Sequence, residues 1–264
     1  MRTNVKQLAS LIVFGWALAL LCFVGRPVRA CTIFVLTDTN TALFFNNEDW
    51  SNPKSRIWFV PGSMGRYGCG FVGFDSGLSE GGMNTKGLAY DVVAGYQEEW
   101  KVDPKLEVKG HSPRQMLETC ATVDEAIQFY RTHQESGFFR VKMLVADASG
   151  DSVIIGASHG KLQCEVSNQC RGFGYGGQIL DRILAVPPEP TVANGAEILR
   201  ACLQKGQYAT KYSNVFDLRS GDIFLFRFPE KTNAVKLNLT AELNKGRHSY
   251  NMPQIERELR LPSK

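Results

Sequence analysis

The junction between Ala30 and Cys31 constrains this chain more than any other feature, because a secretory leader is predicted to end there. Two basic residues precede an apolar run at residues 8–24, and small residues occupy positions −3 and −1 of the junction. This order of segments is typical of a signal peptide. We therefore predict a leader at residues 1–30 and one exported domain, periplasmic or secreted, at residues 31–264.

Two alternatives to cleavage remain open. The apolar run is about 17 residues long, near the lower limit for crossing a bilayer, so an uncleaved anchor is the first. A lipoprotein signal also ends at cysteine and is the second; lipidation would occupy the Cys31 thiol. Arg29 stands at position −2, where a lipoprotein signal prefers a small or apolar residue.

The net charge of the chain belongs to the leader. The whole chain has a formal net charge of +4, and the leader carries four basic and no acidic residues, so 26 Lys and Arg face 26 Asp and Glu in the rest. A neutral domain has no basic field for nucleic acid, and we expect no nucleic-acid partner. After cleavage we expect no stable membrane insertion. Whether the domain forms a homo-oligomer stays open.

Seven cysteines are present in the chain. Apart from Cys22 in the leader and Cys31 at the junction, five remain, which allows at most two disulfides and leaves one free thiol. Cys164 and Cys170 are close enough in sequence to pair. No CxxC pair is present to indicate zinc.

Cleavage would place a thiol and a free α-amine on the same residue, Cys31. A thiol has a pKa of about 8.5 and an α-amine of roughly 7.7–8.0, so the neutral amine can accept the thiol proton. Strand-forming residues at 31–38 and 41–45 flank a turn at Thr39-Asn40, which predicts a hairpin. The hairpin returns Asp49 to the level of Cys31. Asp49 is therefore the candidate to hold the amine; a turn-forming aspartate is the alternative.

The remaining pattern predicts an α+β fold. Helices are predicted after the caps at Ser112-Pro113 and Thr122, and again at residues 192–203. Strand-like segments lie at residues 56–60, 67–74, 88–93, 140–146, 152–157, 214–217, 222–228 and 234–239. Strands, central helices and strands again indicate two antiparallel sheets with helices packed outside them.

Four stretches of the chain resemble the linear amide C–N hydrolases, the family of choloylglycine hydrolase and penicillin V acylase. They are Cys31-Thr32 and residues 45–50, 82–88 and 212–217. The resemblance implies an Ntn-hydrolase αββα four-layer sandwich without metal or organic cofactor. It also implies that the cysteine attacks a small-molecule N-acyl amide, that Asp49 holds the amine, and that water hydrolyses the resulting thioester.

The chain departs from this family at two positions near the nucleophile. Asn46 stands where the family typically carries an arginine that lines the site, and it offers only neutral hydrogen bonds. This weakens the case for an anionic, bile-salt-like substrate. The oxyanion-hole asparagine of the family is absent from residues 87–93; Asp91 is placed to approach the site, and the backbone N–H near Val92 is the better donor.

Two further site residues are implied by the resemblance alone. The second asparagine of the family is best matched by Asn168, although residues 174–177 are an alternative match. Arg182 resembles the arginine of a later family motif, and an exposed helical arginine is the competing interpretation.

Two rival functions complete the sequence-based view. A Cys-His hydrolase would use His111, His133, His159 or His248, but no protease signature surrounds any cysteine. A catalytically weak or inactive exported or lipid-anchored binding protein on the same fold is the stronger rival, because the asparagine donors are missing. Five aromatic residues are candidates for an acyl pocket or for the core: Trp58, Phe59, Phe71, Phe74 and Tyr90.

Overall fold

The computed structural model describes residues 30–228 and 231–260, so the predicted leader lies outside the described residues apart from Ala30. The strands are β1 (Thr32–Thr37), β2 (Ala42–Asp49), β3 (Ser55–Val60), β4 (Cys69–Phe74), β5 (Ser79–Asn84), β6 (Ala89–Ala94), β7 (Val141–Ala146), β8 (Ser152–Ser158), β9 (Lys161–Ser167), β10 (Arg171–Gly174), β11 (Thr210–Asp217), β12 (Asp222–Arg227), β13 (Lys231–Asn238) and β14 (His248–Asn251). The α-helices are α1 (Ser112–Thr119), α2 (Val123–Thr132), α3 (Gly177–Leu184), α4 (Val192–Ala201), α5 (Leu239–Leu243) and α6 (Ile255–Glu258), and two 3₁₀ turns lie at Ser136–Phe139 and Met252–Gln254.

The strands form two antiparallel sheets. Six strands pair in the order β10-β1-β2-β11-β12-β13, and eight pair in the order β14-β3-β4-β5-β6-β7-β8-β9. Each sheet must bury both faces, since one packs on the other sheet and the other on helices. All eight residues of β2 are accordingly buried.

Three apolar clusters fill the spaces between four layers. The first lies between the sheets and joins Ile33 and Phe44 of one sheet to Phe59 and Leu144 of the other. The second packs α1 and α2 against the eight-stranded sheet. The third packs α3 and α4 against the six-stranded sheet. The predicted αββα sandwich of the α+β class is therefore confirmed.

Helix α4 approaches the six-stranded sheet closely at Gly195. A Cβ placed there would lie 1.9 Å from the ring of Phe45, so only glycine permits this packing. The approach brings the carbonyl of Leu199 to 2.8 Å from Nδ2 of Asn47. One outward-facing side chain of β2 is thereby fixed against the helix layer.

The sequence pattern located most strands but missed four. The segment that forms β5 reads SEGGMN and contains two glycines, which have low strand propensity, yet the sheet on either side of it supplies the pairing. The edge strand β9 is largely exposed and has no continuous apolar run. The short strands β10 and β14 were also not predicted. In each case pairing with a neighbouring strand, rather than local sequence, defines the strand.

The described part of the chain contains no helix long and apolar enough to cross a membrane. Its six cysteines are all unpaired, including Cys164 and Cys170, whose sequence spacing had permitted a disulfide.

Candidate active site

The hairpin of β1 and β2 brings Cys31 and Asp49 together. Its turn is closed by Oδ1 of Asp38, which accepts hydrogen bonds of 2.7 Å from the backbone amides of Asn40 and Thr41. The antiparallel register then pairs Thr32 with Asn47, so the far ends of the strands lie side by side. The backbone nitrogen of Cys31 donates to Oδ2 of Asp49 over 2.9 Å, as the sequence analysis expected.

Asp49 is held in turn by the next strand of the sheet. The hydroxyl of Thr210 at the start of β11 donates to Oδ1 of Asp49 over 2.5 Å. Burial raises the pKa of Asp49 to about 7, and the hydrogen bonds from Thr210 and Cys31 oppose that rise. Both oxygens of the carboxyl group are therefore used, one of them on the nitrogen that cleavage would convert into an amine.

A second carboxyl group touches the thiol directly. Sγ of Cys31 lies 3.3 Å from Oε1 of Glu48, and the side chain of Glu48 is only 4 % exposed. Glu48 is opposite Tyr212 in the register of β2 and β11, and Asn46 is opposite Asn214. Because side chains alternate between the faces of a strand, these residues share the inner face of the sheet with Cys31.

Asn46 and Asn214 lie one step further along the inner face. Nδ2 of Asn46 lies 3.3 Å from Oε2 of Glu48 and 3.4 Å from Oδ1 of Asn214. Asn46, the residue that replaces the arginine of the resembling family, is thus in the site and orients Glu48. The thiol consequently faces neutral amides and carboxyl groups.

The opposite sheet contributes Asp91 from β6. Its Oδ1 accepts a 2.7 Å hydrogen bond from the backbone of Val92, while its Oδ2 is buried without a partner. Space for this carboxyl group is left by Gly81 of β5, where a Cβ would lie 2.1 Å from Oδ2. The amide of Val92 is therefore already bound, which corrects the expectation that it serves as an oxyanion donor.

Burial and mutual repulsion keep this cluster reluctant to ionise. Burial raises the pKa of the Cys31 thiol well above its usual range, and the nearby Glu48 and Asp49 carboxyl groups raise it further. Burial and the neighbouring Asp91 likewise raise the pKa of Glu48, and burial raises those of Asp91 and Glu80. Cleavage before Cys31 would add a basic amine to a site that otherwise contains a thiol and carboxyl groups.

We expect Asp91→Asn to stabilise the protein at alkaline pH. The raised pKa means that folded Asp91 holds its proton more tightly than the unfolded chain does, so its favourable contribution is complete in acid and is lost as pH rises. Asparagine mimics the protonated acid at every pH. Urea unfolding should therefore show a gain of more than about 1 kcal/mol at pH 8 and little change near pH 4.

The matched control for this prediction is Asp75→Asn, an exposed carboxylate 3.3 Å from the Lys54 ammonium. It should give no stabilisation at either pH. An Asp91→Asn protein that is equally or less stable than the native protein at pH 8 would contradict the assignment of Asp91 as a buried, proton-retaining acid.

The backbone at Cys31 is strained in the uncleaved chain. Its φ of 68° lies in the left-handed region, which costs a residue other than glycine about 1–2 kcal/mol. Ala30 is tied down by a 3.3 Å hydrogen bond from its amide to the carbonyl of Ala94. Because φ is defined through the preceding carbonyl carbon, cleavage at this bond would remove the constraint.

Four buried polar atoms around the thiol have no hydrogen-bond partner. They are Oδ1 of Asn46, Nδ2 of Asn214, the hydroxyl of Tyr212 and Oδ2 of Asp91. Unpaired buried polar groups are costly and concentrate at functional sites. These four atoms come from both sheets and cluster around the Glu48 carboxyl group that contacts the sulfur, which marks the place where a polar ligand group would bind.

Two of the sequence-predicted residues lie away from this cluster. Asn168 is exposed in the turn between β9 and β10, at the end of β10 far from Cys31, and its Oδ1 accepts from Gln169. Arg182 is exposed on α3. The geometry therefore places neither of them to act on the thiol, in contrast to Cys31, Asp49 and Asn46.

Residues 174–177, the alternative match to Asn168, lie next to Cys31. Gly174 is opposite Thr32, and the amide of Tyr175 donates to the carbonyl of Cys31 over 2.7 Å. The amide of Gly176 donates to the hydroxyl of Thr32. This segment contacts Cys31 and Thr32 through its backbone.

The histidines and most of the aromatic candidates lie elsewhere. His111 caps α1, His133 ends α2, His159 occupies a turn and His248 contacts Glu242, which gives a Cys-His pair no geometric support. Phe71 and Tyr90 face the helices, whereas Phe59 and Phe74 face the space between the sheets. Within residues 30–228 and 231–260, no group of three potential ligands is arranged to hold a metal ion.

Sequence reasoning assigned no role to Glu48, Tyr212 or Asn214. The signal was the interruption of an apolar alternation: Asn46 and Glu48 follow Phe44 on one face of β2, and Tyr212 and Asn214 precede Phe216 on the same face of β11. Polar residues at positions that should be buried and apolar indicate a site inside the sandwich.

Comparison with known proteins identifies the fold. No protein-family model and no curated protein matches the sequence. Penicillin V acylase from Agrobacterium tumefaciens superposes with a TM-score of 0.66 at 16 % identity, over 84 % of this chain and 91 % of the acylase. Two variant structures of conjugated bile acid hydrolase from Clostridium perfringens give TM-scores of 0.63 and 0.65 at 14 % identity, over 83 % and 84 % of this chain and 96 % and 97 % of theirs. The chain thus has the Ntn-hydrolase fold of penicillin V acylase and conjugated bile acid hydrolase.

Proposed function

We propose that this protein is an exported N-terminal-cysteine hydrolase that cleaves a linear, non-peptide C–N amide bond of a small N-acyl substrate. The observation that carries the proposal is the 2.9 Å contact between the backbone nitrogen of Cys31 and Asp49. That contact places a carboxyl group on the atom that becomes an α-amine when the leader is removed. The fold shared with two amide-cleaving enzymes supports the same reaction class.

The reaction proceeds in two halves. The thiol of Cys31 loses its proton and attacks the amide carbonyl, and the C–N bond breaks as the leaving nitrogen takes up a proton. Water then attacks the thioester, releases the carboxylic acid and restores the thiol. Asp49 holds the amine in place through both halves, and Thr210 holds Asp49.

A donor for the oxyanion is available from β11. Nδ2 of Asn214 is fully buried and unpartnered, while Oδ1 of the same side chain is near Asn46. A preorganised amide donor in a water-excluded site stabilises the negative oxygen that forms on attack. We assign this role to Asn214 in place of the asparagine that the sequence lacks at residues 87–93.

We assign the acyl group of the substrate to a partly apolar cavity beside Tyr212. It measures about 150 Å³, and its lining combines apolar residues such as Leu225, Val235 and Met252 with the charged residues Arg227, Glu256 and Arg257. Asn46, in place of an arginine, leaves no fixed positive charge beside the thiol. The neutral side chain of Asn46 therefore weakens the case for an anionic group directly beside the thiol.

The rival function is a catalytically weak or inactive exported or lipid-anchored binding protein. The observation that favours it is the occupied amide of Val92, which removes one expected oxyanion donor. Intact mass of the exported protein distinguishes the two. A chain that starts at unmodified Cys31 supports the hydrolase, whereas a diacylglyceryl adduct on Cys31 rules it out.

Activity is tested with a panel of N-acyl substrates on the chain that starts at Cys31. The panel contains penicillin V, conjugated bile acids, N-acyl amino acids and lipid amides, and product release is followed by chromatography. Hydrolysis of at least one class with a trapped thioester on Cys31 is expected. A correctly processed chain that cleaves none of them would support the binding protein.

We expect Asn214→Ala to lower kcat by about 10²-fold with little change in KM, because removal of one oxyanion donor weakens the transition state alone. Asn168→Ala is the matched control and should retain native kcat, since that side chain is exposed and distant. Steady-state kinetics on the best substrate of the panel measures both. A larger loss of kcat in Asn168→Ala than in Asn214→Ala would show that Asn168 is the donor.

A further inference from the structure

We propose that Glu48 is a catalytic residue that takes the proton directly from the Cys31 thiol. The role rests on the proposed amide hydrolysis and deepens it, since it adds a proton acceptor other than the α-amine. The observation behind it is contact: Oε1 of Glu48 lies 3.3 Å from Sγ, within the range for a hydrogen bond to sulfur, and both groups are buried.

The position of the Glu48 carboxyl group is fixed on two sides. Strand β2 is central in its sheet, and Nδ2 of Asn46 donates to Oε2, the oxygen that does not face sulfur. Oε1 is left to the thiol. The α-amine, by contrast, is directed to Asp49 by the contact of the Cys31 nitrogen. The amine and Glu48 therefore lie on different sides of Cys31.

The surrounding charges favour this transfer. Four titratable groups face Glu48: Cys31 just before β1, Tyr212 on β11, Asp91 on β6 and Glu80 on β5. Burial penalises a new charge. Transfer of the proton from sulfur to the ionised Glu48 carboxylate creates none, because one negative charge moves from Glu48 to the sulfur. Burial raises the pKa of the Cys31 thiol and also that of Glu48. The pKa of this acceptor is therefore closer to that of the buried thiol than the pKa of an ordinary carboxylate would be, which eases the proton transfer.

The proton balance is simple. The S–H bond breaks, its proton forms an O–H bond with Oε1, and the electron pair left on sulfur forms the C–S bond while the carbonyl π pair moves to oxygen. When the C–N bond breaks, the same proton passes from Glu48 to the departing nitrogen. The thiol and the amide bond are consumed, and a thioester and a free amine are produced.

The test measures alkylation of Cys31 by iodoacetamide against pH, with the modified cysteine identified by mass spectrometry. It uses the chain that starts at Cys31 and compares Glu48→Gln with the matched control Asp91→Asn, which alters a carboxyl group that does not contact sulfur. A proton-accepting Glu48 predicts that Glu48→Gln lowers alkylation at pH 6 by roughly tenfold or more. Asp91→Asn should raise it, because the Asp91 carboxyl group raises the thiol pKa.

An increase in the alkylation rate of Cys31 in Glu48→Gln would overturn the proposal. If Glu48 acts only as a nearby negative charge, Glu48→Gln should increase alkylation as Asp91→Asn does, and an unchanged rate would leave the amine as the acceptor. Glu48→Asp keeps the charge and gives a second reading if Glu48→Gln does not fold. Its shorter side chain should lower alkylation at pH 6, and a rate equal to or above the native one would refute the role.

The assay separates this role from the proposed function because alkylation needs no substrate. In one outcome the chain hydrolyses none of the N-acyl amides while Glu48→Gln still lowers and Asp91→Asn still raises the alkylation rate. That result would support Glu48 as the proton acceptor and refute the proposed amide hydrolysis. A chain that hydrolyses amides without the predicted signs would keep the hydrolase and remove Glu48 as the acceptor.

Discussion

Cys31→Ser is expected to lower kcat for the best N-acyl amide by about 10³-fold or more in a chain that still folds and is still processed. Serine is nearly isosteric with cysteine, but its hydroxyl is far harder to deprotonate in a buried site lined by carboxyl groups. The side chain is 5 % exposed and lies among Glu48 and Asp49, so the surroundings disfavour an alkoxide even more than a thiolate. Product formation under single-turnover conditions measures the loss.

The matched control for Cys31→Ser is Cys164→Ser, a half-buried cysteine on edge strand β9 of the other sheet. It should retain native kcat. Full amidase activity in processed Cys31→Ser would end the assignment of Cys31 as the nucleophile, and with it the thioester mechanism.

Asp49→Asn is expected to lower kcat by about 10³-fold while the fold is preserved. Asparagine has one acceptor oxygen, whereas Asp49 uses one oxygen for the Cys31 nitrogen and the other for the hydroxyl of Thr210. The NH₂ group of asparagine would face either the Cys31 nitrogen or the Thr210 hydroxyl, and both of these are donors. The α-amine would then be misoriented, and the protonated amine would lose its negatively charged partner. Loss of an orienting carboxylate in a comparable triad costs about 10⁴-fold in kcat.

Asp38→Asn is the matched control for Asp49→Asn, because it makes the same change at the turn end of the same hairpin. Its Oδ1 still accepts from the amides of Asn40 and Thr41, so the hairpin and kcat should be unchanged. Thermal unfolding checks that both variants fold. An Asp49→Asn protein with native kcat would show that the amine needs no carboxylate to orient it.

Local sequence was sufficient for the hairpin and for the layer order. The strand-forming residues of β1 and β2 and the turn at Thr39-Asn40 predict the return of Asp49 to Cys31, because a short turn sets the register between adjacent strands. The caps at Thr122 and Ser112-Pro113 likewise correspond to the starts of α2 and α1. These features depend on neighbours within a few residues along the chain.

The assignments that failed geometrically depended on distant positions. Asn168 and Arg182 were implied by the family resemblance alone, and the fold places them in an exposed turn and on an exposed face of α3. The Val92 amide was expected to be free, but the side chain of its neighbour Asp91 binds it. A linear motif gives the order of residues but not the direction in which each side chain points.

By itself, the sequence determined that two antiparallel sheets carry helices on their outer faces and that Cys31 meets Asp49, because strand propensity, caps and turns act over a few residues. Only the tertiary structure decided that Glu48, Tyr212, Asn214 and Asp91 converge on the thiol. They come from three strands in two sheets, and their meeting depends on inter-strand register and on the packing of one sheet on the other. The physical reason is that burial and charge act through space, so the chemistry of Cys31 is decided by residues that are remote along the chain.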